Sequence, residues 1–338
     1  ADFTGNALVL SNVLGVYTNS LPLVTGQISG AIASILGVTK PAAVPMDIWS
    51  NYVATLSAHY SNVIPAWEVS NEPAQETAYL FGDAALYSDF LRETIQAIRV
   101  YQPTVKIVAL GGPGGSATNF AGTVMTNMAS IGLTNEIAEM SFHIYPTADQ
   151  EAPLAQAFSA LWGIPWINSE SGMVDYGPKS FFAANMRRQG TPVELFNTAK
   201  RFYVGNGWVS AMILRNALTT LGHKAKRFYA YDHRSYDPAY YGQEYGQIEY
   251  DDTLKPNAVA LACAAGMIDG STSLGLANTN TGINSYVWQY GTGTNTIVSV
   301  HSRSYVTNWL CTMPGGMYPY VRYDMFGNPV GTNEASFH

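Results

Sequence analysis

Short apolar runs alternate with longer helical patterns along most of this chain, and that alternation restricts the fold more than any other feature. Residues 13–17, 63–69, 105–110, 140–145, 166–169 and 227–231 read as strands. Residues 47–60, 84–101, 152–161, 193–221 and 257–267 read as helices, the fourth interrupted near Gly205-Asn206-Gly207. A short run that is apolar throughout suits a strand covered on both faces. Such strands, each followed by a helix, pair side by side in parallel, with the helices crossing back over the sheet. The expected fold class is α/β: a (β/α)8-type barrel, incomplete, with about six βα units visible. Asp47 is placed to cap the first helix, whose apolar face carries Ile48, Val53 and Leu56.

After about residue 270 the pattern changes. Residues 286–290 and 296–300 flank a Gly/Thr turn, which is a hairpin signal. Tyr320-Val321-Arg322-Tyr323 leads into Asp324 and the turn Phe326-Gly327-Asn328-Pro329. The expected division is a barrel domain over 1–270 and a small antiparallel, β-sandwich-like domain over 271–338.

Composition excludes some partners. The net charge is −7, only 12% of residues are charged, and no basic patch stands out, which argues against nucleic acid. No apolar run reaches the ~20 residues that cross a bilayer, so no membrane partner is expected. The two cysteines, Cys263 and Cys311, form no metal-ligand pattern; a disulfide and two buried thiols both stay open. No metal or organic cofactor is implied. No leader is visible from Ala1 onward, so a secreted or periplasmic location is expected for a processed chain, with a cytoplasmic one also open. The 22 tyrosines and 7 tryptophans could include sugar-stacking platforms, although each alone is better explained by ordinary core and loop packing.

In a parallel barrel, reactive side chains sit at the C-terminal ends of strands. Glu72 and Glu170 both hold that place: each follows an apolar run and each precedes a helix breaker, Pro73 or Gly172. Two strand-end carboxylates are what glycosidic bond cleavage with retained configuration needs. One protonates the leaving oxygen and later activates water; the other attacks the anomeric carbon. Glu68 points to the opposite strand face from Trp67 and Val69 and is read as structural.

Several segments carry a family resemblance. Trp67-Glu68-Val69-Ser70-Asn71-Glu72-Pro73 resembles the strand-four acid/base motif of clan A glycoside hydrolases. Trp166-Ile167-Asn168-Ser169-Glu170-Ser171-Gly172 resembles their strand-seven nucleophile motif. Ser141-Phe142-His143-Ile144-Tyr145-Pro146 is similar to the strand-six segment between them, and Arg227-Phe228-Tyr229-Ala230-Tyr231-Asp232 to strand eight. Leu254-Lys255-Pro256-Asn257-Ala258 resembles the opening of the last helix, and the trailing β-domain is similar to that of family 39 and related enzymes, with a family 5-like enzyme as the other resemblance. The resemblance covers roughly residues 10–330.

It implies a retaining β-glycosidase acting on a carbohydrate such as a β-glucoside or β-xyloside. Glu72 would be the acid/base and Glu170 the nucleophile. Asn71 would bond the sugar 2-hydroxyl, Tyr145 would orient Glu170, and His143 would line the site near Glu72. Tyr229 or Tyr231 would floor the sugar, where the family usually has Trp. Asp232, His233 and Asp237 form an acidic, aromatic loop read as turn chemistry.

The family's first two strands have no counterpart, so residues 13–17 correspond to its third. Three arrangements account for this: a longer natural chain, a barrel that is incomplete by design, or a partner that supplies the missing strands. A homo-oligomer covering the open barrel edge is expected, because an open edge exposes apolar surface and unpaired backbone. The rival to catalysis is a carbohydrate-binding or scaffold protein derived from such a barrel and impaired by the missing strands.

Overall fold

A computed structural model of the chain describes residues 8–9, 46–61, 63–75, 82–114, 117–145, 148–173, 205–231, 233, 245–248, 254–276, 285–292, 295–302 and 321–332. One sheet contains β1 (Leu8–Val9), β2 (Ala66–Glu68), β3 (Lys106–Ala109), β4 (Ile137–His143), β5 (Trp166–Ser171) and β6 (Phe228–Ala230), in that order. β1 through β4 pair in parallel. The helices are α1 (Met46–His59), α2 (Ala84–Arg99), α3 (Thr118–Ser130), α4 (Ala148–Trp162), α5 (Gly205–Gly222) and α6 (Pro256–Ile268). Spatial order equals chain order, as a singly wound βα array requires. The order starts at β1 and stops at β6, so among the described residues the sheet is open. The fold class is thus an incomplete (β/α)-barrel with small antiparallel sheets.

The chain divides into two compact units, Ala1–His143 with Pro153–Ser169, and Ile144–Ala152 with Glu170–His338. In the first, α1 and α2 meet through Trp49. Its ring stacks on Phe90 at 4.4 Å and its Nε1 donates to Thr94 Oγ1 at 2.8 Å. Trp67 on β2 donates to Gln102 Oε1 at 3.3 Å, and Gln102 in turn donates to Ser57 O on α1 at 2.7 Å. Trp67 therefore faces the helices, and alternation turns Glu68 to the other face of the sheet. Glu68 is buried there, in register with Val108 and, beyond it, the buried Glu139. On β4, Phe142 lies edge-on to Phe158 and Trp166. Phe158 belongs to α4, so Phe142 faces the helix layer and His143 the opposite face. Trp166 is core, Trp162 is half-buried, and the side chain of Trp208 lies outside the described residues.

In the second unit, α5 organises two clusters. Met173, Val209 and Ile213 pack with Phe228, Ala230 and Leu261. Leu218 packs with Trp288 and Tyr290, whose hydroxyl donates to Leu218 O at 2.6 Å. β7 (Thr272–Leu276), β8 (Ser285–Thr292) and β9 (Asn295–Ser302) form an antiparallel sheet; β10 (Val321–Tyr323) and β11 (Pro329–Thr332) form a hairpin. Its turn is tied by the Asp324 carboxylate, which accepts from the backbone N–H of Phe326 and Asn328 at 2.9 Å. A bond from the Asn328 side chain, joined by those backbone bonds, holds Asp324 below the usual carboxylate range.

Several boundaries differ from expectation. Asp47 is the second residue of α1 rather than its cap. β4 begins at Ile137, three residues early, and ends at His143. β5 runs on to Ser171, so Glu170 lies inside a strand instead of after one. α4 starts at Ala148, before Pro153, with Asp149 and Glu151 favourably placed at its positive end. Asp149 also forms a buried ion pair with Arg215 of α5 at 3.1 Å. The expected strand over 13–17 and the helical stretch over 193–204 lie outside the described residues, as does Cys311. Cys263 on α6 is a free, half-buried thiol, its pKa raised by burial and then by Asp324.

Candidate active site

The first unit builds a corner around Glu72. After β2 the chain turns through left-handed conformations at Ser70 (φ 73°) and Glu72 (φ 48°), and after β3 through Leu110, Gly111 and Gly112 (φ 80°, 60° and 77°). Non-glycine residues rarely adopt these values. Here neighbouring backbone imposes them: Glu72 N–H donates to Gly111 O at 2.6 Å, and Val69 N–H to Val108 O at 3.0 Å. Gly111 has no room for a side chain, since a Cβ would lie 2.9 Å from both Pro73 Cδ and Val69 O.

This turn presents the Glu72 carboxylate, with about 28% of the side chain exposed, to His143 at the end of β4. His143 Nδ1 lies 3.1 Å from Glu72 Oε1, and Gln75 Nε2 donates to Oε2. The imidazole is buried against Gly112, where any Cβ would overlap the ring. Gly112 N–H donates to Ser141 Oγ at 2.9 Å, which itself donates to Ala109 O at 3.2 Å. Nδ1 can accept from a protonated Glu72 or donate to an ionised one, according to tautomer. The corner can therefore hold the carboxyl group in either state. Asn71 is half-buried between Ser70 and Glu72.

The second unit builds another corner around Glu170. The Tyr145 hydroxyl donates to Glu170 Oε1. Phe228 and Ala230 of β6 face the α5 cluster, so Tyr229 and Tyr231 fall on the opposite face. Tyr231 N–H donates to Ser171 O at 2.7 Å, which extends the β5–β6 ladder past Glu170. Tyr231 is also edge-on to Tyr245, which is edge-on to Tyr145. Tyr229 is half-buried. Asp232 and Asp237 lie outside the described residues; His233 accepts a backbone bond from Ile248.

The structure thus brings Glu72 to His143, and Glu170 to Tyr145. Sequence reasoning missed Gln75, Gly111, Gly112, Ser141 and Tyr245. The Gly111-Gly112-Pro113 run after a strand signals a special turn. Gln75, three residues after Glu72, is a local partner of ordinary spacing. Tyr245 stands beyond the strand-eight motif with no local signal.

The fold is shared with solved glycoside hydrolases. A family 39 glycoside hydrolase from the gut symbiont Bacteroides cellulosilyticus WH2 matches 85% of this chain and 58% of its own, with a TM-score of 0.61 at 15% identity. A GH39 beta-xylosidase from Caulobacter crescentus matches 72% of this chain and 53% of its own, TM-score 0.50 at 13% identity. A glucosidase from Croceicoccus marinus matches 87% of this chain and 60% of its own, TM-score 0.50 at 13% identity. The chain spans between about half and three-fifths of the length of these structures. The resemblance to clan A glycoside hydrolases holds at the level of the fold. No protein-family model and no curated protein matches the sequence.

Proposed function

We propose that this chain is a retaining β-glycosidase with Glu170 as nucleophile and Glu72 as acid/base. One observation carries the reading: two strand-end glutamates have contrasting surroundings. Glu170 accepts from a phenol, which suits a carboxylate that must be ionised. Glu72 sits at an imidazole nitrogen that can accept or donate, which suits a group that must give and regain a proton.

In the first step, a Glu170 oxygen attacks the anomeric carbon as the glycosidic C–O bond breaks, and Glu72 gives its proton to the departing oxygen. In the second, water attacks the same carbon, the Glu72 carboxylate takes the water proton, and Glu170 leaves as a carboxylate. This chemistry requires the two carboxyl groups to lie about 5–5.5 Å apart. Asn71 would bond the sugar 2-hydroxyl, and Tyr229 or Tyr231 would form the sugar floor, an aromatic face of smaller area than Trp. The substrate class is a β-linked glucoside, xyloside or related oligosaccharide, in keeping with the glucosidase and the beta-xylosidase of similar fold.

Among the described residues the sheet is open at β1 and β6, which favours self-association. β6 is half-exposed along its length, whereas β2 is buried throughout. A homo-oligomer would cover that edge; a monodisperse monomer by light scattering would rule it out.

A panel of aryl β-glycosides tests the catalytic reading. Glu170→Gln should abolish hydrolysis. Glu72→Ala should lose about 10²–10⁴-fold on substrates with poor leaving groups, far less on dinitrophenyl glycosides, and azide should then yield a β-glycosyl azide. Wild-type binding of oligosaccharides without turnover would favour the impaired scaffold instead. A product of inverted configuration would sink double displacement.

A further inference from the structure

The tyrosine that bonds Glu170 is itself held by a device assembled far along the chain. Tyr145 lies edge-on to Tyr245, with ring centroids 6.0 Å apart and planes at 76°. Tyr245 lies edge-on to Tyr231 at 5.4 Å and 62°. The Tyr145 and Tyr245 rings and the Tyr231 backbone carbonyl meet over Gly172, two residues past Glu170. A Cβ there would come within 2.7 Å of Tyr245 Cδ1 and 3.4 Å of Tyr145 Cε1, and would overlap Tyr231 O. Only a glycine lets the rings close at this point.

Tyr245 belongs to the short segment 245–248, whose backbone is clamped on several sides. Lys255 N–H donates to Gln247 O at 3.1 Å, and Ile248 N–H donates to His233 O at 3.1 Å. Asn257 Nδ2 donates to Gly246 O at 3.4 Å, and Gln247 Nε2 donates to Tyr245 O at 3.3 Å. Ile248 also forms an antiparallel bridge with Leu254. Lys255 and Asn257 are both buried, and they open α6 with Pro256 between them at its first turn. The Leu254-Lys255-Pro256-Asn257 motif therefore acts as a clasp on the strap that carries Tyr245.

We propose that Tyr245 is a positioning residue: clasped by residues 254–257, it fixes the Tyr145 ring and so aims the Tyr145 hydroxyl at Glu170. This rests on the reading of Glu170 as nucleophile. A tyrosine hydroxyl stands at the far end of a lever, so a small swing of the ring displaces it appreciably. A misplacement of about 1 Å at a reacting group costs about 10²-fold. Edge-to-face packing against Tyr245 prevents that swing on one side of the ring.

The test compares Tyr245→Leu, Tyr245→Phe, Tyr145→Phe, Asn257→Ala and the double variant Tyr145→Phe/Tyr245→Leu. Tyr245→Leu should lower kcat by about 10–10²-fold with KM changed little, and Tyr245→Phe should restore it to within about twofold. In the double variant the loss should equal that of Tyr145→Phe alone, because Tyr245 acts only through the hydroxyl that has been removed. Asn257→Ala should move kcat in the same direction by less, and it keeps the test open if Tyr245→Leu does not fold. Multiplicative losses, or a rise confined to KM, would overturn the proposal in favour of a subsite wall.

A second readout does not depend on turnover. In protein with ¹³Cζ-labelled tyrosine, the Tyr145 resonance, assigned with Tyr145→Phe, should move when Glu170→Gln removes the acceptor charge, and in the same direction in Tyr245→Leu. A Tyr145 signal indifferent to Tyr245→Leu defeats the proposal even if the enzyme is active. An inactive wild type with a responsive signal defeats the glycosidase reading and leaves the positioning role standing.

Discussion

The corner around Glu72 is held by backbone, and the corner around Glu170 by side chains. Five described residues near Glu72 adopt left-handed φ, among them Glu72 itself, and its N–H is tied to Gly111 O. Around Glu170 the described backbone has none: the residue sits in an ordinary strand and takes its order from tyrosine rings. Under the roles proposed for the two glutamates, the difference has a chemical sense. A proton donor must approach a leaving group from the side, so its carboxyl is set by the main-chain path and then adjusted by His143 and Gln75. A nucleophile must stay charged and stationary, so a packed ring that delivers one hydrogen bond is enough.

The largest effects should come from the two glycines that let these corners close. Gly111→Ala adds a left-handed alanine, about 1–2 kcal/mol, to crowding against Val69 O and Pro73 Cδ, about 1–3 kcal/mol. Urea unfolding should show a loss of about 3 kcal/mol. Gly172→Ala meets the Tyr231 carbonyl with no φ penalty, so its loss should stay nearer the crowding cost of about 1–3 kcal/mol. If Gly111→Ala proves the milder of the two, the backbone-held description of the first corner is wrong.

Next in size are the side chains that touch the carboxylates. Tyr145→Phe removes a bond to a charged group, about 1.5–3 kcal/mol, which is roughly 10–10²-fold in kcat/KM. His143→Gln keeps a polar side chain near Glu72, whose backbone tie and Gln75 remain, so it should cost less, about tenfold or below. Equal losses in both variants would erase the contrast between the corners.

How much of this could be read from the sequence follows the same division. The strands between residues 63 and 231 and the two Glu-bearing strand ends were legible, because strands buried on both faces leave unbroken apolar runs such as Ile107-Val108-Ala109, whereas β1 at Leu8–Val9 was not read as a strand. The Tyr145–Glu170 pairing was reachable only through resemblance, since 25 residues and a helix separate the two. Tyr245 was not reachable at all: its partners lie about 100 and 14 residues away, and neither composition nor spacing records a ring–ring contact. Boundaries failed where side chains override propensity, as at Ala148, where the Asp149–Arg215 pair extends the helix back past Pro153.

A smaller effect separates chemistry from unfolding in acid. Burial against Trp288 lowers the His223 pKa to about 4 from its usual 6.5. The folded state keeps this ring neutral while the unfolded chain protonates it. Its contribution to stability is therefore whole above about pH 6.5 and declines as pH falls towards 4. Discounted for its part-exposed ring, the loss is about 1–2 kcal/mol. His223→Phe keeps the edge-on contact and should flatten the acid slope of melting temperature. Activity still lost below pH 6 in that variant then belongs to the two corners; a slope left unchanged would show that another group drives acid unfolding.

The smallest effect calibrates what left-handed backbone costs in this fold. Lys224 ends α5 at φ 66° in a position with no role in either corner. Its N–H donates to Leu221 O at 2.9 Å, and Ala225 N–H donates to Thr220 O at 3.2 Å, the paired bonds of a helix end that favours glycine. Lys224→Gly should raise stability by about 0.5–1 kcal/mol with activity unchanged. Ser70→Gly relieves the same conformation at φ 73°, but there it also loosens the turn that aims Glu72. A gain in stability accompanied by a fall in kcat at Ser70, against a gain without a fall at Lys224, is the signature expected if the first corner is held under strain for its chemistry. Matching behaviour at both positions would mean that the left-handed turn near Glu72 is ordinary chain geometry, and the two corners would then differ only in which residues surround them.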